Sequence, residues 1–330
     1  MLRRDPRKGE VEKVSEIWWS QRPNKFVDRR LFAELLAKVD ATRPLKEHAY
    51  ISMGGPFLDD FPIIQSAVHL RSMMSIDRED GVRDRAEYNK PYSRVFCELA
   101  DSSVLVSKFG SFADKLGAAN FVVWLDFTTR QRGEQLRQLA ELAAKLTAGD
   151  ICRITLNAQA QRPYGMPVAA HQIRELGLLA DDLGDLLPKD CTSEDMSPSR
   201  FPALLFKCIR NAAETGARRS GNVVRPLLLV EYKDGQQMIT ATFALEGTGA
   251  ISIASERPLS DWVFLSTPEW TNVRRVAVGA LSIKEIRHID YARHAKSVDE
   301  IQAELPFLTP ESIAQYVEYE PYFPRFRHVP

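Results

Sequence analysis

The sequence predicts an α/β fold in which a doubly wound, mostly parallel β-sheet is closed by an antiparallel β-hairpin. Short apolar runs, each followed by a segment with helical spacing, recur through the first half of the chain. The first run ends in Gly54-Gly55 and the second ends in Asp77. In the second half, two strand-like runs meet at Asp234-Gly235, which is a typical hairpin turn. Alternating strands and helices favour a parallel sheet, to which the hairpin adds an antiparallel pair.

The composition is that of an ordinary globular domain. The chain has 330 residues, of which 44% are hydrophobic, and its 44 basic residues balance its 44 acidic ones. Zero net charge gives no general attraction to nucleic acid. No apolar run is long enough to span a membrane, and the first residues do not resemble a signal peptide. The four cysteines lack metal-ligand spacing, so we expect reduced thiols, no metal, no membrane contact and a cytoplasmic location.

The elements of the first half follow one another as alternating helices and strands. A helix over Phe26–Val39 comes first, because its apolar residues recur at helical spacing. Further helices are predicted over 58–70, with Asp59 and Asp60 in the first turn, and over 135–146. The five predicted strands lie at 49–56, 73–77, 103–107, 121–126 and 151–157.

The second half departs from this alternation. Residues 158–222 are interpreted as a helical insertion after the fifth strand, and the hairpin strands follow at 226–232 and 237–245. The predicted main domain therefore covers 26–257, after an N-terminal extension over 1–25. Residues 258–330 are expected to form a small C-terminal α+β module whose strand pair and short helices are compatible with a winged helix.

The glycines and the acid predict a nucleoside site. Glycine lets a ligand approach the backbone, and an acid about 20 residues further on accepts hydrogen bonds from ribose hydroxyls in sheets of this class. Asp77 follows Gly54 at about that distance, and Glu79 is a second candidate. The two acids flank Arg78 and would face the same side if the strand continued. The alternative interpretations are a plain turn at the glycines and a solvated charge run at the acids.

In the order and spacing of these features, roughly 26–247 resembles the class I (Rossmann-like) S-adenosylmethionine-dependent methyltransferases, in particular a divergent prokaryotic group described as putative O-methyltransferases. The resemblance implies S-adenosylmethionine as the cofactor and methyl transfer to an unidentified acceptor. It places Met53, Gly54 and Gly55 in the glycine-rich first motif and Asp77 or Glu79 on the cofactor ribose. The closing hairpin matches the sixth and seventh strands of that fold.

The chain also departs from the family pattern. Two adjacent glycines stand in place of three spaced ones, and Ser107-Lys108 replaces the acid or amide that follows the third strand and contacts adenine. The Asn-Pro-Pro-Tyr sequence of amino-group methylases is absent after the fourth strand, which disfavours methylation of base amino groups. The similar sequence Asn89-Lys90-Pro91-Tyr92 precedes the predicted third strand.

Asp126 and Phe127 end the fourth strand, where the family places substrate-facing and catalytic residues. Asp126 could act as the base or orient the acceptor, and its alternative role is to cap a helix that begins near Thr128. The loop that contains Asn89 and Tyr92 could stack Tyr92 on adenine or direct Asn89 at the substrate. Its alternative is a helix end with exposed polar side chains.

Basic and aromatic residues alternate in the C-terminal stretch and could contact nucleic acid, although a solvated face is the commoner pattern. The second functional hypothesis is a regulatory or nucleic-acid-associated binding subunit of the methyltransferase fold, with decayed catalysis and a protein partner. Two grounds support it, the reduced glycine motif and the missing acid after the third strand. A Rossmann oxidoreductase is disfavoured, because the chain has no GxGxxG sequence and its sheet ends in a hairpin.

Overall fold

The computed structural model describes residues 22–324. Most of the predicted N-terminal extension and the last six residues lie outside this range. Among the described residues, no helix is both long and apolar enough to cross a membrane.

A single eight-stranded sheet forms the centre of the protein, with the strand order β3-β2-β1-β4-β5-β7-β6-β8. The first five strands run parallel, and β7 lies antiparallel between β5 and β6. The bounds are β1 His48–Ser52, β2 Ser72–Asp77, β3 Val95–Leu99, β4 Asn120–Asp126, β5 Ile151–Asn157, β6 Asn222–Asp234, β7 Gln236–Gly247 and β8 Arg274–Val276. This arrangement confirms the predicted Rossmann-like methyltransferase fold.

Helices cover both faces of this sheet and enclose two apolar cores. One core is formed by helices α4 to α8 against the sheet, and the other by α1, α2 and the C-terminal segment. The helix bounds are α1 Pro23–Asp40, α2 Asp60–Ala67, α3 Asp80–Tyr88, α4 Ser102–Ser107, α5 Phe109–Leu116, α6 Arg132–Ala143, α7 Val168–Leu183, α8 Phe201–Arg219, α9 Ile283–Ala292, α10 Val298–Glu304 and α11 Pro310–Tyr319. The strand order reverses between β1 and β4, which is where open α/β sheets bind ligands beyond the carboxyl ends of their strands.

The predicted third strand at 103–107 is wrong. These residues form α4, whose first turn is capped by Asp101, and the strand is Val95–Leu99 instead. A run of three apolar residues between two serines has the same pattern in a short helix as in a strand. The capping signal of Asp101, followed by two serines, distinguishes the two, since the Asp101 carboxylate accepts a hydrogen bond from the Val104 N–H at 2.9 Å.

The interpretation of 158–222 as an insertion holds only for its first part. Because β6 runs parallel to β5, the chain must cross over between them, and α8 makes that connection. Helix α8 packs closely on α6, since a Cβ at Gly216 would lie 2.1 Å from the Ala140 carbonyl oxygen. The additional structure is therefore α7 and the short helical turns that follow it.

The C-terminal segment does not form the expected separate module. Strand β8 joins the main sheet beside β6, and within 258–324 it is the one strand, so no winged-helix strand pair forms there. Trp262, Phe264, Tyr316 and Tyr319 lie in the same apolar core as α1. Residues 258–324 thus complete the main domain.

Candidate active site

A cleft of about 390 Å³ lies at the carboxyl ends of β1, β2 and β4. Six of the residues predicted from the sequence line it: Met53, Gly55, Asp77, Glu79, Asp126 and Phe127. Three others, Gly54, Asn89 and Tyr92, do not belong to its lining. The first loop, the acid after β2 and the end of β4 are therefore brought together as the fold class requires.

The two glycines of the first loop have different roles. Gly54 faces protein, because a Cβ there would lie 2.6 Å from Cε2 of Phe61 and 2.8 Å from Cδ2 of Leu58. Its N–H donates to the Ser75 hydroxyl at 3.2 Å. Gly55 adopts φ +61°, which side chains rarely adopt, and it lines the cleft. The cleft-facing glycine is Gly55, and Gly54 allows the loop to pack on α2.

Asp77 is the last residue of β2 and is half-buried at the cleft wall. Its Oδ1 accepts a hydrogen bond from the Glu79 N–H at 2.9 Å, which fixes the carboxylate. Burial raises the pKa of Asp77 from its ordinary value, against the opposing effect of that hydrogen bond. Glu79 lies beyond the strand, precedes α3 and is exposed. The same-face argument from strand alternation therefore does not apply to this pair.

Asp101, a residue that the sequence analysis missed, also lines the cleft. It follows β3, and hydrogen bonds from the Ser103 hydroxyl and the Val104 N–H lower its pKa. The acid that the family places after the third strand is therefore present. The apparent replacement by Ser107-Lys108 is wrong, because Ser107 is the last residue of α4 and Lys108 is its C-cap, so neither follows a strand.

Two buried glutamines on α6 form a further part of the wall. Gln135 donates through Nε2 to the Thr129 hydroxyl at 2.8 Å, and Gln138 donates to the Glu134 carboxylate at 3.1 Å. The Oε1 atoms of both glutamines are buried, and in the described part of the chain neither has a hydrogen-bond partner. Since an unsatisfied buried acceptor is costly, these two oxygens are candidates to accept hydrogen bonds from a bound amino group.

Asp126 forms a buried ion pair with Lys25, whose Nζ donates to Oδ2 at 2.9 Å. The two side chains are 12% and 3% exposed, respectively. Burial alone would raise the pKa of Asp126, but the charge and hydrogen bond of Lys25, together with the charge of Arg29, leave that pKa lowered. Burial also lowers the pKa of Lys25, and the charge of Asp126 opposes this effect. A carboxylate with a lowered pKa is a weak base, and this geometry suits an orienting role better.

The helix-cap alternative for Asp126 is wrong. Helix α6 begins at Arg132, and the residue at its N-cap position is Gln131. Asp126 is separated from that helix by the loop that contains Phe127 and Thr128, both of which line the cleft.

The backbone of Lys25 is held in place by a carboxylate that lies 209 residues further along the chain. Asp234, in the hairpin turn, accepts from the backbone N–H of Lys25 at 2.7 Å and from that of Asn24 at 3.3 Å. Asn24 in turn accepts from the Val278 N–H at 2.8 Å, which ties the start of α1 to the C-terminal segment. Sequence patterns gave no sign of this contact, because its partners are more than 200 residues apart.

The loop at Asn89 and Tyr92 supports the site from outside. The Asn89 side chain donates to the carbonyl of Pro56 at 2.8 Å, and Pro56 lines the cleft. Tyr92 is 40% exposed. The geometry therefore gives Asn89 a structural contact with the first loop and directs neither side chain into the cleft.

The charge of the cleft is strongly acidic. Five carboxylates line it, against one guanidinium, that of Arg78, among the described residues. The five are Asp77, Glu79, Asp101, Asp126 and Glu134. Such a field favours a cation and repels phosphate groups. Carboxylates at the ends of β2 and β3, apolar walls and two free amide oxygens fit an adenosine that carries a positive charge.

The described part of the C-terminal segment is acidic overall, and three of its basic residues, Arg325, Arg327 and His328, lie outside the described residues. Residues 258–324 contain six Lys or Arg and ten Asp or Glu. Several of the basic side chains pair with acids, including Arg274 with Glu318, Arg293 with Glu320 and Lys296 with Glu304. Within 22–324, no group of three His, Cys, Asp or Glu side chains is placed to hold a metal ion.

Comparisons with known proteins give one family match and several similar solved structures. The model of a family described as Putative O-methyltransferase matches residues 17–330. A search of curated proteins gives no match. The similar solved structures include the mitomycin 7-O-methyltransferase MmcR, with 16% identity, a TM-score of 0.32 and coverage of 66% of this chain and 54% of that one. A SAM-dependent methyltransferase from Anabaena variabilis has 11% identity, a TM-score of 0.37 and coverage of 67% and 86%, respectively.

The N-terminal domain of EvdMO1, with SAH bound, has 12% identity and a TM-score of 0.37, with coverage of 66% of this chain and 81% of that one. The chain spans about half the length of the first of these structures, MmcR. The family match covers nearly all of the chain and is the finding on which the assignment rests.

Proposed function

We propose that this chain, which belongs to the Putative O-methyltransferase family, transfers a methyl group from S-adenosylmethionine to an oxygen atom of an acceptor. Family membership implies S-adenosylmethionine as the cofactor. The proposal assigns that cofactor to the cleft at the ends of β1, β2 and β4.

The observation that carries the proposal is the acidic character of this cleft. Nicotinamide and flavin dinucleotides bring a pyrophosphate, which five carboxylates and a single guanidinium would repel. S-adenosylmethionine brings no phosphate, and its sulfonium and ammonium groups are both positive. The strand ends that would bind adenosine therefore carry a charge that suits a cationic cofactor. This charge distinguishes the chain from the Rossmann oxidoreductases.

Individual residues of the wall would hold distinct parts of the cofactor. Asp77 is fixed by the Glu79 N–H and would accept from ribose hydroxyls. Asp101 and the free oxygens of Gln135 and Gln138 would recognise the base. Met53 and Gly55 line the side of the cleft that the first loop forms. When bound, the cofactor supplies an electrophilic methyl group on a positively charged sulfur.

Lys25 and Asp126 would act on the acceptor side. Asp126 stays ionised because its pKa is lowered, and Lys25 keeps it in one orientation. A fixed carboxylate can accept a hydrogen bond from a hydroxyl and position its oxygen, and the ammonium beside it stabilises negative charge on that oxygen. The presence of Asp101 removes one of the two grounds for the hypothesis of a decayed binding subunit.

A calorimetric titration tests the proposal directly. S-adenosylmethionine and S-adenosylhomocysteine are each titrated into the protein, with NAD⁺ as the phosphate-bearing control. We expect both sulfur compounds to bind with dissociation constants of about 1–100 μM, which corresponds to about −5.5 to −8.2 kcal/mol, and NAD⁺ not to bind. Absence of S-adenosylhomocysteine binding, or binding of NAD⁺ with similar affinity, would contradict it.

We also propose that the protein works in the reducing cytoplasm of a prokaryotic cell. Its four cysteines, Cys97, Cys152, Cys191 and Cys208, are free thiols, and Cys152 and Cys208 are buried in the core. The pattern supports a compartment in which disulfides do not form. The prokaryotic origin rests on the resemblance of the sequence.

A further inference from the structure

A second cavity, here called the acceptor chamber, lies beside the cleft. Its volume is about 370 Å³. It is enclosed by the start of α1, the loop after β4 and the turn between β6 and β7. The lining residues are Arg22, Lys25, Thr128, Tyr232, Asp234, Gly235, Gln236 and Met238.

The chamber and the cleft share a boundary. Thr128 lines both cavities. The ion pair of Lys25 and Asp126 spans the same boundary, because Asp126 lines the cleft and Lys25 lines the chamber. A molecule in the chamber would therefore lie next to the part of the cleft where the β4 strand ends.

We propose that the acceptor chamber binds the methyl acceptor, and that this acceptor is a small molecule with a single acidic hydroxyl group, such as a phenol. This inference rests on the proposed function, because only a transferase has a methyl acceptor. It goes beyond that proposal by assigning a second site and a class of substrate to it.

The size and walls of the chamber favour a small, partly apolar molecule. A volume of about 370 Å³ falls at the lower end of the range of small-molecule pockets, about 300–1,000 Å³. Tyr232 and Met238 are both buried, and they give the chamber an aromatic and a polarisable apolar surface. A monocyclic or bicyclic aromatic group can be accommodated between such side chains.

The charges around the chamber favour one hydroxyl oxygen over a multiply charged group. Lys25 and Arg22 bring positive charge, which favours the ionised form of a hydroxyl nearby. Asp126 and Asp234 balance these cations, and the carboxylate of Asp234 accepts from the N–H groups of Asn24 and Lys25. A phosphate dianion would meet the carboxylate of Asp234 in the chamber wall and compete with that of Asp126 for Lys25, whereas a single oxygen beside Lys25 would displace neither.

The test uses 4-nitrophenol as the probe, because its ionised form absorbs visible light and so reports both binding and ionisation. We expect saturable binding to the wild-type protein, with the absorbance of the bound probe shifted towards the ionised form at neutral pH. The dianion 4-nitrophenyl phosphate, which has the same ring, should bind at least about tenfold more weakly, a factor that corresponds to about 1.4 kcal/mol.

Two variants that fill the chamber locate the probe. Met238→Trp should reduce the affinity for 4-nitrophenol at least about tenfold. Gln236→Trp fills the same cavity from an exposed position of the turn and should also reduce that affinity. Met196→Trp is the matched control, because Met196 has the same 9% exposure as Met238 but belongs to the other core. Circular dichroism shows that each variant is folded, and retained affinity for S-adenosylhomocysteine shows that its cofactor cleft is unchanged.

Failure of this proposal can be distinguished from failure of the proposed function. If S-adenosylhomocysteine binds but 4-nitrophenol does not, or if the probe binds both chamber variants as tightly as wild type, the acceptor chamber is wrong and the cofactor site stands. A preference for 4-nitrophenyl phosphate would also overturn it. If the probe behaves as expected but S-adenosylhomocysteine does not bind, the methyltransferase assignment is what fails.

Discussion

Lys25 and Asp126 form a charged pair that is almost fully removed from water. Removal of one partner leaves the other charge buried and alone, and such changes typically cost about 3–5 kcal/mol. We therefore expect Asp126→Ala to lower the free energy of unfolding by at least about 3 kcal/mol, measured by urea denaturation. The double variant Lys25→Met/Asp126→Leu should recover most of this loss. Equal stability of wild type and Asp126→Ala would show that the pair is not formed.

The lowered pKa of Asp126 also predicts a pH dependence. The native carboxylate titrates below its ordinary value of 3.8. Its contribution to stability is thus fully present above pH 3.8, and it is lost as the pH falls through the lower value of the folded protein. In Asp126→Asn this part of the acid dependence should be missing. Identical slopes of unfolding free energy against pH for the two proteins, below pH 4, would contradict the pairing.

Asp77 and Glu79 should differ in their effect on the cofactor. Asp77 is half-buried and fixed by a backbone N–H, whereas Glu79 is exposed. We expect Asp77→Asn to weaken binding of S-adenosylhomocysteine by about 1.5–3 kcal/mol, through loss of charged hydrogen bonds. Glu79→Gln should change it by no more than about 0.5 kcal/mol. A calorimetric result with the order of the two variants reversed would assign the ribose to Glu79.

The site residues at strand ends could be predicted from the sequence, whereas those that tertiary packing brings to the site could not. Asp77, Asp126 and Phe127 end apolar runs, so their place at one edge of the sheet follows from the fold class. Lys25 appeared as one charge among many at the start of a helix, and no local pattern links it to Asp126. Gln135 and Gln138 lie on an amphipathic helix whose buried face cannot be separated from its cleft-facing edge by spacing alone.

At the level of elements, Asp234 acts as a remote cap for α1. The residue at the N-cap of this helix, Arg22, makes no side-chain cap, and the first turn contains no acid. The Asp234 carboxylate supplies both functions across the fold. We expect Asp234→Ala to reduce stability by about 1–2 kcal/mol, measured by urea unfolding. Asp190→Ala, which removes an exposed partner of Lys207, is the control and should leave the urea midpoint unchanged.

The first loop gives a further prediction, which corrects an expectation drawn from the sequence. The sequence places Gly54 among the glycines that let the cofactor approach the backbone, but in the structure this position faces Phe61 and Leu58. Gly54→Ala should therefore destabilise the protein by about 1–3 kcal/mol through overpacking, as read from thermal unfolding. An unchanged thermal midpoint would show that the loop has room at this position.

The strands that were predicted well have long runs of buried residues in the sequence. Strands β4 and β5 are buried along nearly their whole length, as central parallel strands should be, and their bounds were nearly correct. Residues 103–107 failed because a five-residue run carries no period long enough to decide between strand and helix. The true third strand contains Cys97 and Glu98 and is only partly buried, so its apolar signal is weak.

At the scale of the whole molecule, the C-terminal segment is part of the domain. The sequence pattern suggested a separate module, because short helices follow a hairpin that closes many sheets of this kind. Contacts between distant segments instead join it to the main domain. Strand β8 extends the sheet, and the Val278 N–H donates to the side chain of Asn24 on α1. Such contacts leave no local trace in the sequence.

Removal of residues 258–330 is therefore expected to abolish folding. The truncated chain would expose the apolar face of α1 that Trp262, Phe264 and Tyr319 cover in the intact protein. Circular dichroism and limited proteolysis should show an unfolded or aggregated product. A soluble truncated protein with cooperative unfolding and normal affinity for S-adenosylhomocysteine would establish the separate module that the sequence suggested.

The central claim is that the acidic cleft at the ends of β1, β2 and β4 binds the adenosine cofactor. Amide hydrogen exchange, measured by mass spectrometry with and without saturating S-adenosylhomocysteine, tests the claim along the whole chain. We predict slower exchange in the loops that line the cleft, at 53–56, 77–80, 100–103 and 127–131, and little change in the exposed hairpin turn at 233–237. Protection confined to the hairpin turn and the start of α1, with none in the four cleft loops, would contradict the account.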